Sequence, residues 1–373
     1  MKYLLANWTS SKEIKGGCES VFQDLSEMIQ KIGHKTESVT FNTAKDILGL
    51  AIARNSTRFF EVEASNIIDR YCSHYAKMFP GTRVISNAGI VNVWHKNSSV
   101  INIFNDPFKA IISKLIKFGL SGSGEYIRYG SICNFMQQRA AEGATNIAVS
   151  DFMAHEMDKM GIKADAVIPH GIDLEKFTGN PGKKGDFLAK HGVPSGAKVA
   201  VWSKTFSAVS GFHIISELAK KHKDIYWFLQ FKDPVNYRPR LKNVRILQPR
   251  ERHEMVDIYS MADFCINPSI VESFGLVPLE AMACNIPCIL GNTGFVWEKD
   301  FEKDFEKRDY GMLVNGWSSE AYSNAIDAFY EEGPTGFSPR KHAEEFSKER
   351  WEREWKGIIG DACKPMKNTK KSK

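Results

Sequence analysis

Short apolar runs that recur between stretches of helical periodicity constrain this chain more than any other feature. YLLAN (3–7), SVTF (38–41), RVISN (83–87), INIF (101–104) and NIAVS (146–150) read as strands in the first half. The series restarts with KVAVWS (198–203), YWFLQF (226–231), VRILQ (244–248), FCINPS (264–269) and PCILG (287–291), with helices such as FHIISELAKKH between them. Strands alternating with helices are the pattern of βα units and a parallel sheet. Two α/β halves, each with its own core, fit within 373 residues. The turn-rich stretch FTGNPGKKGD (177–186) places the linker just before or within it. No internal repeat of about 20 to 50 residues interrupts this pattern, and low complexity is confined to the lysine-rich end.

Charge and cysteine usage narrow the partners. Lys and Arg number 50 against 44 Asp and Glu, a net charge of +6 that suits anionic small molecules or a membrane surface and does not demand nucleic acid. Seven cysteines without a CxxC pair argue against a disulfide framework or a zinc knuckle, so reduced thiols in a cytoplasm are expected. The apolar start YLLAN is too short for a signal peptide, and no run approaches the ~20 apolar residues of a membrane span.

The chemistry concentrates in ESFGLVPLE (272–280), where Glu272 and Glu280 lie eight residues apart around a strand-to-helix turn. The apolar FCINPS before it reads as a buried strand, and LEAMAC after it as a helix opening at Pro278. That puts Glu272 in the loop and Glu280 in the first helical turn. Ligands of open parallel sheets sit beyond the carboxyl ends of the strands, where free N–H groups of a helix start favour an anion. Carboxylates flanking an anion site point to sugar hydroxyls as partners.

Four blocks together carry a resemblance to a family. GGCESVFQDLSEMIQKIGH (16–34) offers the Gly16–Gly17 pair of a glycine-rich loop after the first strand. AVSDFMAHEMDKMGI and AVIPHGIDLEKF, with His170-Gly171-Ile172-Asp173 at the turn, resemble a domain-joining passage. NPSIVESFGLVPLEAMACNIPCILGNTG and GMLVNGWSSEAYSNAIDAF complete the series in the family's order. The chain thus resembles family 4 glycosyltransferases, the retaining, nucleotide-sugar-dependent enzymes of the "glycosyl transferases group 1" type.

The resemblance implies a GT-B fold, two Rossmann-like α/β domains with parallel sheets facing across a cleft. Residues 1–172 would bind the acceptor and 173–345 the nucleotide-sugar donor. In the segment 346–373 a helix would cross back to the first domain ahead of a basic tail. Glu280 would accept hydrogen bonds from the ribose, Glu272 would contact the transferred sugar, and the backbone of Ser273, Phe274, Gly275 and Leu276 would line the sugar and phosphate pocket. Gly16 and Gly17 would face ligand. Lys204 corresponds to a diphosphate-binding arginine; read from its residues alone, it is a phosphate contact or a solvated strand end. The implied reaction is transfer to an acceptor hydroxyl of a glycan, a lipid or a protein, with retention. The nucleotide diphosphate sugar is the donor substrate, no cofactor is needed, and the lack of any Asp-x-Asp argues against a catalytic metal.

Three positions depart from the family's pattern. Ser210-Gly211 stands where a lysine-glycine pair is usual, Asn105-Asp106 where a His-Asp is common, and GNTGFVWE displaces Glu298 by a residue. Asn105 cannot take a proton, and Ser210 removes a cation. These changes motivate an alternative, a GT-B protein that has lost turnover and serves as a binding or partner subunit. A further alternative is another GT-B enzyme such as a phosphorylase.

PFKAIISKLIKFG (107–119) sets Ile111, Ile112, Leu115, Ile116 and Phe118 beside Lys109, Lys114 and Lys117. It reads as a helix packed on the sheet or as an interfacial one. The localisation expected is cytoplasmic, with the cytoplasmic face of a membrane as the second option. Base recognition is expected around 248–256, and acceptor recognition in loops 8–17 and 87–97.

Overall fold

The computed structural model describes residues 1–7, 17–47, 60–87, 100–119, 124–205, 207–231, 240–247 and 254–361. Its first sheet contains β1 (Lys2–Ala6), β2 (Lys35–Val39), β3 (Arg83–Asn87), β4 (Val100–Phe104), β5 (Thr145–Ala148) and β6 (Ala166–Val167). The order is β2-β1-β3-β4-β5-β6, and every pair is parallel. The helices of this half are α1 (Gly17–Lys31), α2 (Phe41–Ile47), α3 (Phe60–Met78), α4 (Phe108–Lys117), α5 (Gly124–Ala141) and α6 (Asp151–Lys159).

The second half opens with α7 (Lys184–Lys190), β7 (Lys198–Lys204), α8 (Phe212–Lys221), β8 (Ile225–Phe231), β9 (Val244–Leu247), α9 (Met255–Ser260) and β10 (Phe264–Asn267). It continues through α10 (Leu276–Ala283), β11 (Cys288–Gly291), β12 (Phe305–Arg308), β13 (Gly311–Val314), α11 (Ser319–Glu332), α12 (Pro339–Glu344) and α13 (Lys348–Asp361). The sheet order is β12-β13-β11-β10-β7-β8-β9.

The central strands read as unbroken apolar runs because both faces are covered. On β7 and β8, Val199, Val201 and Phe228 enter one core while Ala200, Trp202, Trp227 and Leu229 enter the other. Two expectations are corrected. The second sheet is not wholly parallel, since β12 runs antiparallel to β13 at its edge. The run SVTF is strand only at Ser38 and Val39: β2 spans Lys35–Val39, and Thr40 caps α2, its Oγ1 accepting from Thr43 N at 3.3 Å. The stretch FTGNPGKKGD is structured. It holds the 3-10 turn Pro181–Lys183 and the start of α7, and Lys184 pairs with Asp263 at 2.7 Å.

The halves share one apolar core that runs from Tyr3, Leu5 and Ile103 of the first sheet to Leu279 and Met282 of α10. Trp351 and Trp355 of α13 belong to it. Lys348 at the start of α13 pairs with Asp24 of α1 at 2.6 Å, and Ile172 bridges Ser347. Among the described residues no helix is long and apolar enough to cross a membrane.

Candidate functional site

β7 and β10 are neighbours, so the residues that follow their carboxyl ends meet beyond the sheet. Lys204 closes β7 and forms an ion pair with Glu272 in the loop after β10; the side chains are 15% and 18% exposed. This is the strand-end crevice in which α/β folds hold ligands. A partly buried pair of this kind is a fixed local dipole whose halves suit a phosphate oxygen and a sugar hydroxyl respectively.

The loop that carries Glu272 is pinned from the side. Thr293 Oγ1 accepts from Glu272 N at 3.0 Å and lies 3.2 Å from Glu272 O, to which it donates. Phe295 N donates to Phe274 O at 2.9 Å. Gly294, at φ 69°, makes this approach possible, because a Cβ there would stand 2.2 Å from Phe274 O. The displaced Glu298 instead grips Arg308, at 2.8 and 2.7 Å, and its N–H donates to Asn292 Oδ1 at 2.7 Å.

Helix α10 opens at Leu276, not at Pro278, after Gly275 in a left-handed conformation. Glu280 is therefore the fifth residue of the helix, in its second turn. Its side chain is turned inward, 5% exposed, and Oε2 accepts from Tyr259 Oη of α9 at 3.0 Å. Burial, and after it the charge of Glu280, hold the Tyr259 hydroxyl well above its usual pKa, which keeps it a donor. The same two causes push the Cys284 thiol, one turn further on, up to about 12.

The first half reaches this loop through its own strand ends. Ser150, after β5, caps α6 by accepting from Met153 N at 3.1 Å and donates its hydroxyl to Ser273 O at 2.5 Å. His170 meets the buried Phe274 edge-on, with centroids 4.9 Å apart. Gly17, at the start of α1, lies so close to Leu276 that an added Cβ would stand 2.8 Å from its Cδ1. Phe152 and His155 of α6 meet Trp297, and Phe118 meets Trp317.

The structure thus gathers Glu272, Ser273, Phe274, Gly275, Leu276, Lys204 and Gly17 at one cleft. Gly17 is spent on packing against Leu276; Gly16 lies outside the described residues. Ser210 is 3% exposed and donates its hydroxyl to Ser207 O at 2.7 Å, closing its own turn. Asn105, after β4, is 5% exposed and donates to Asn87 Oδ1, while Asn87 donates to Asn7 Oδ1 at 2.9 Å. Residues 248–253, loops 8–16 and 88–97, and the basic tail lie outside the described residues. Sequence reasoning missed Thr293 as a clamp, Ser150 as a contact, and Tyr259. Ser150 alone had a local signal, a serine before an acidic first turn.

Of the two readings of 107–119, the structure shows the packed helix. α4 buries Ala110, Ile111 and Leu115 against Phe152, Ile270 and Val271, so its apolar face seals the two halves together. Ile116 remains 61% exposed. Among the described residues no cluster of three or more His, Cys, Asp or Glu side chains is placed to hold a metal ion.

Residues 185–350 match the family model described as "Glycosyl transferases group 1". D-inositol 3-phosphate glycosyltransferase of Corynebacterium urealyticum is 28% identical over 181 residues, 43% of this chain and 42% of that protein. The protein of the same name from Mycolicibacterium smegmatis is 26% identical over 211 residues, 52% of this chain and 46% of that one. The matches cover less than half of these relatives' own length. Among solved structures, sucrose-phosphate synthase from Thermosynechococcus elongatus superposes with a TM-score of 0.76 at 16% identity, over 97% of this chain and 98% of that one. Anabaena HepE in complex with UDP-glucose gives 0.70 at 16% identity, over 97% and 100%. Both likenesses are of fold, and the fold is the GT-B arrangement of two Rossmann-like halves.

Proposed function

Because residues 185–350 carry a glycosyl transferases group 1 domain, we propose that this protein is a glycosyltransferase. It moves a sugar from a nucleotide diphosphate sugar to an acceptor hydroxyl of a glycan, a lipid-linked or a protein-linked acceptor. The observation that carries this reading is the Lys204–Glu272 pair at the strand-end crevice, facing the first half across the cleft.

In this reading the second half, from residue 173 to 345, holds the donor, and residues 1–172 hold the acceptor. Lys204 takes the diphosphate, whose departing charge needs fixed positive potential. Glu272, released from Lys204, accepts from a hydroxyl of the sugar. Glu280, oriented by Tyr259, accepts from the ribose. The departing phosphate helps deprotonate the acceptor on the same face, so configuration is retained, and no metal is required. Contact with a membrane would fall to the outer surface of α4 and α5, where Ile116, Ile132 and Phe135 are exposed, and not to the buried face of α4.

A second reading is favoured by Ser210, whose hydroxyl is consumed by its own turn: a GT-B protein without turnover that serves as a partner subunit. Thermal melting against UDP, GDP and ADP and their glucose derivatives separates the two. Binding at ~100 times Kd contributes ~2.7 kcal/mol, several degrees in a chain of this size. One nucleotide series should raise the midpoint, and Lys204→Ala should remove most of the rise. No rise with any of them at millimolar concentration would move the partner reading ahead.

A further inference from the structure

The loop that carries Glu272 takes its shape from both halves. On its own side Thr293 holds Glu272, and the Phe295 N–H holds Phe274 O. From the first half, Ser150 Oγ donates to Ser273 O at 2.5 Å, the His170 ring meets Phe274, and Gly17 leaves room for Leu276 because it lacks a Cβ. Ser150 is 2% exposed, and its extended backbone, φ −162° and ψ 165°, is that of an N-cap. Its hydroxyl does two things at once: the oxygen accepts from Met153 N at 3.1 Å to cap α6, and the proton goes to the other half.

Neither bond is ambiguous in direction, since a carbonyl oxygen only accepts and a backbone N–H only donates. The peptide unit that joins Ser273 to Phe274 is planar, with its C=O and N–H on opposite sides. A donor fixed on Ser273 O therefore fixes the line along which the Phe274 N–H points, away from Ser150. Among the described residues, the N–H groups of Ser273, Phe274 and Gly275 donate to no protein acceptor, whereas that of Glu272 is taken by Thr293. Phe274 is 2% exposed, and a backbone N–H in so buried a segment calls for an acceptor. The Lys204 ammonium, paired with Glu272 at the start of this loop, favours an anion in that role.

We propose that Ser150 is a positioning residue: from the first half it sets the Ser273–Phe274 peptide so that the Phe274 N–H meets a phosphate oxygen of the donor held by the second half. Thr293 and Phe295 hold the peptides on either side of this one, and Ser150 holds the peptide itself. The donor loop is then complete only when the two halves are together. The first half contributes to donor affinity through this bond without touching the donor, as a supporting hydrogen bond does for a binding group. This deepens the donor reading of the site and rests on it.

The test separates the cap from the bond between the halves. Glycine serves as an N-cap almost as well as serine, whereas alanine does not, so Ser150→Gly removes the hydroxyl and spares α6. Melting midpoints and calorimetric titration with UDP, GDP and ADP are read on the native chain and on Ser150→Gly, Ser150→Ala and Ser150→Thr. Ser150→Gly should melt within about 2 °C of the native chain and bind the preferred diphosphate about fivefold more weakly. Ser150→Ala should show the same weakened binding with a lower midpoint, and Ser150→Thr, which keeps the hydroxyl, should match the native chain in both. A merely structural role would tie binding to the midpoint, leaving Ser150→Gly with native affinity, and that result overturns the proposal while the donor reading stands. Should Ser150→Gly fail to fold, native affinity in Ser150→Ala overturns it equally. Binding of none of the three diphosphates by the native chain would remove the donor reading and this proposal with it.

Discussion

A lysine at the end of a strand is ordinarily solvated, but Lys204 is drawn against Glu272 because β7 and β10 are adjacent and the loop after β10 is clamped by Thr293. The pair has a consequence for binding. In the proposed donor reading a diphosphate takes Lys204 away from Glu272, so the pair competes with the ligand. Glu272→Gln removes that competition and should tighten UDP by about threefold, while weakening the preference for UDP-glucose over UDP. Titration of both ligands against native and variant checks this; weaker UDP binding by the variant would contradict it. The spacing of Glu272 and Glu280 was legible because both flank an apolar turn with glycine and proline. The inward turn of Glu280 was not, since Tyr259 comes from another helix and no local pattern announces the contact.

At the level of elements, the strands read best where apolar runs are long and flanked by turn residues, as in β7 and β8. β12 and β13 escaped because FEKR has a single apolar residue and GMLV is short; an edge strand covered on one side carries little of the signal that a central one does. The helix start at Leu276 was placed two residues late because proline is at home within a first turn. The amphipathic character of α4 was correctly seen, but a helix that seals two halves and one that meets a membrane have the same pattern. One element contact bears on pH. His222, just after α8, lies 2.8 Å through Nε2 from Ser323 Oγ of α11 and 3.9 Å through Nδ1 from Asp327. Burial lowers its pKa below the usual 6.5, outweighing the opposing pull of Asp327 and Asp224, with Lys221 and Lys198 adding to the lowering. The folded protein therefore favours the neutral ring. Its contribution to stability is complete above pH ~6.5 and declines as pH falls below that toward the folded-state value. Native and His222→Gln melting curves should converge as the pH falls from about 7.5 to 5.5; parallel curves would count against this account.

For the whole molecule, two α/β halves could be read from the two series of strands, and their order within each sheet follows from packing of βα units. What joins the halves could not be read. Gly17 against Leu276, Ser150 against Ser273 and Lys348 against Asp24 are contacts between residues far apart in the chain, and glycine or serine at such places looks like any turn residue. These contacts bring the strand-end side of the first half against the loop that carries Glu272 and Ser273. Catalysis by such a protein depends on that juxtaposition, since the donor would be held on one side and the acceptor on the other. The most direct measurement is proton NMR of UDP-glucose, or of the nucleotide glucose that melting selects, incubated with the purified chain. The account predicts consumption of the donor with the α-configured product formed first, and about 100-fold slower turnover by Lys204→Ala. A β-configured first product, or a native chain that binds the donor and leaves it intact, would contradict it.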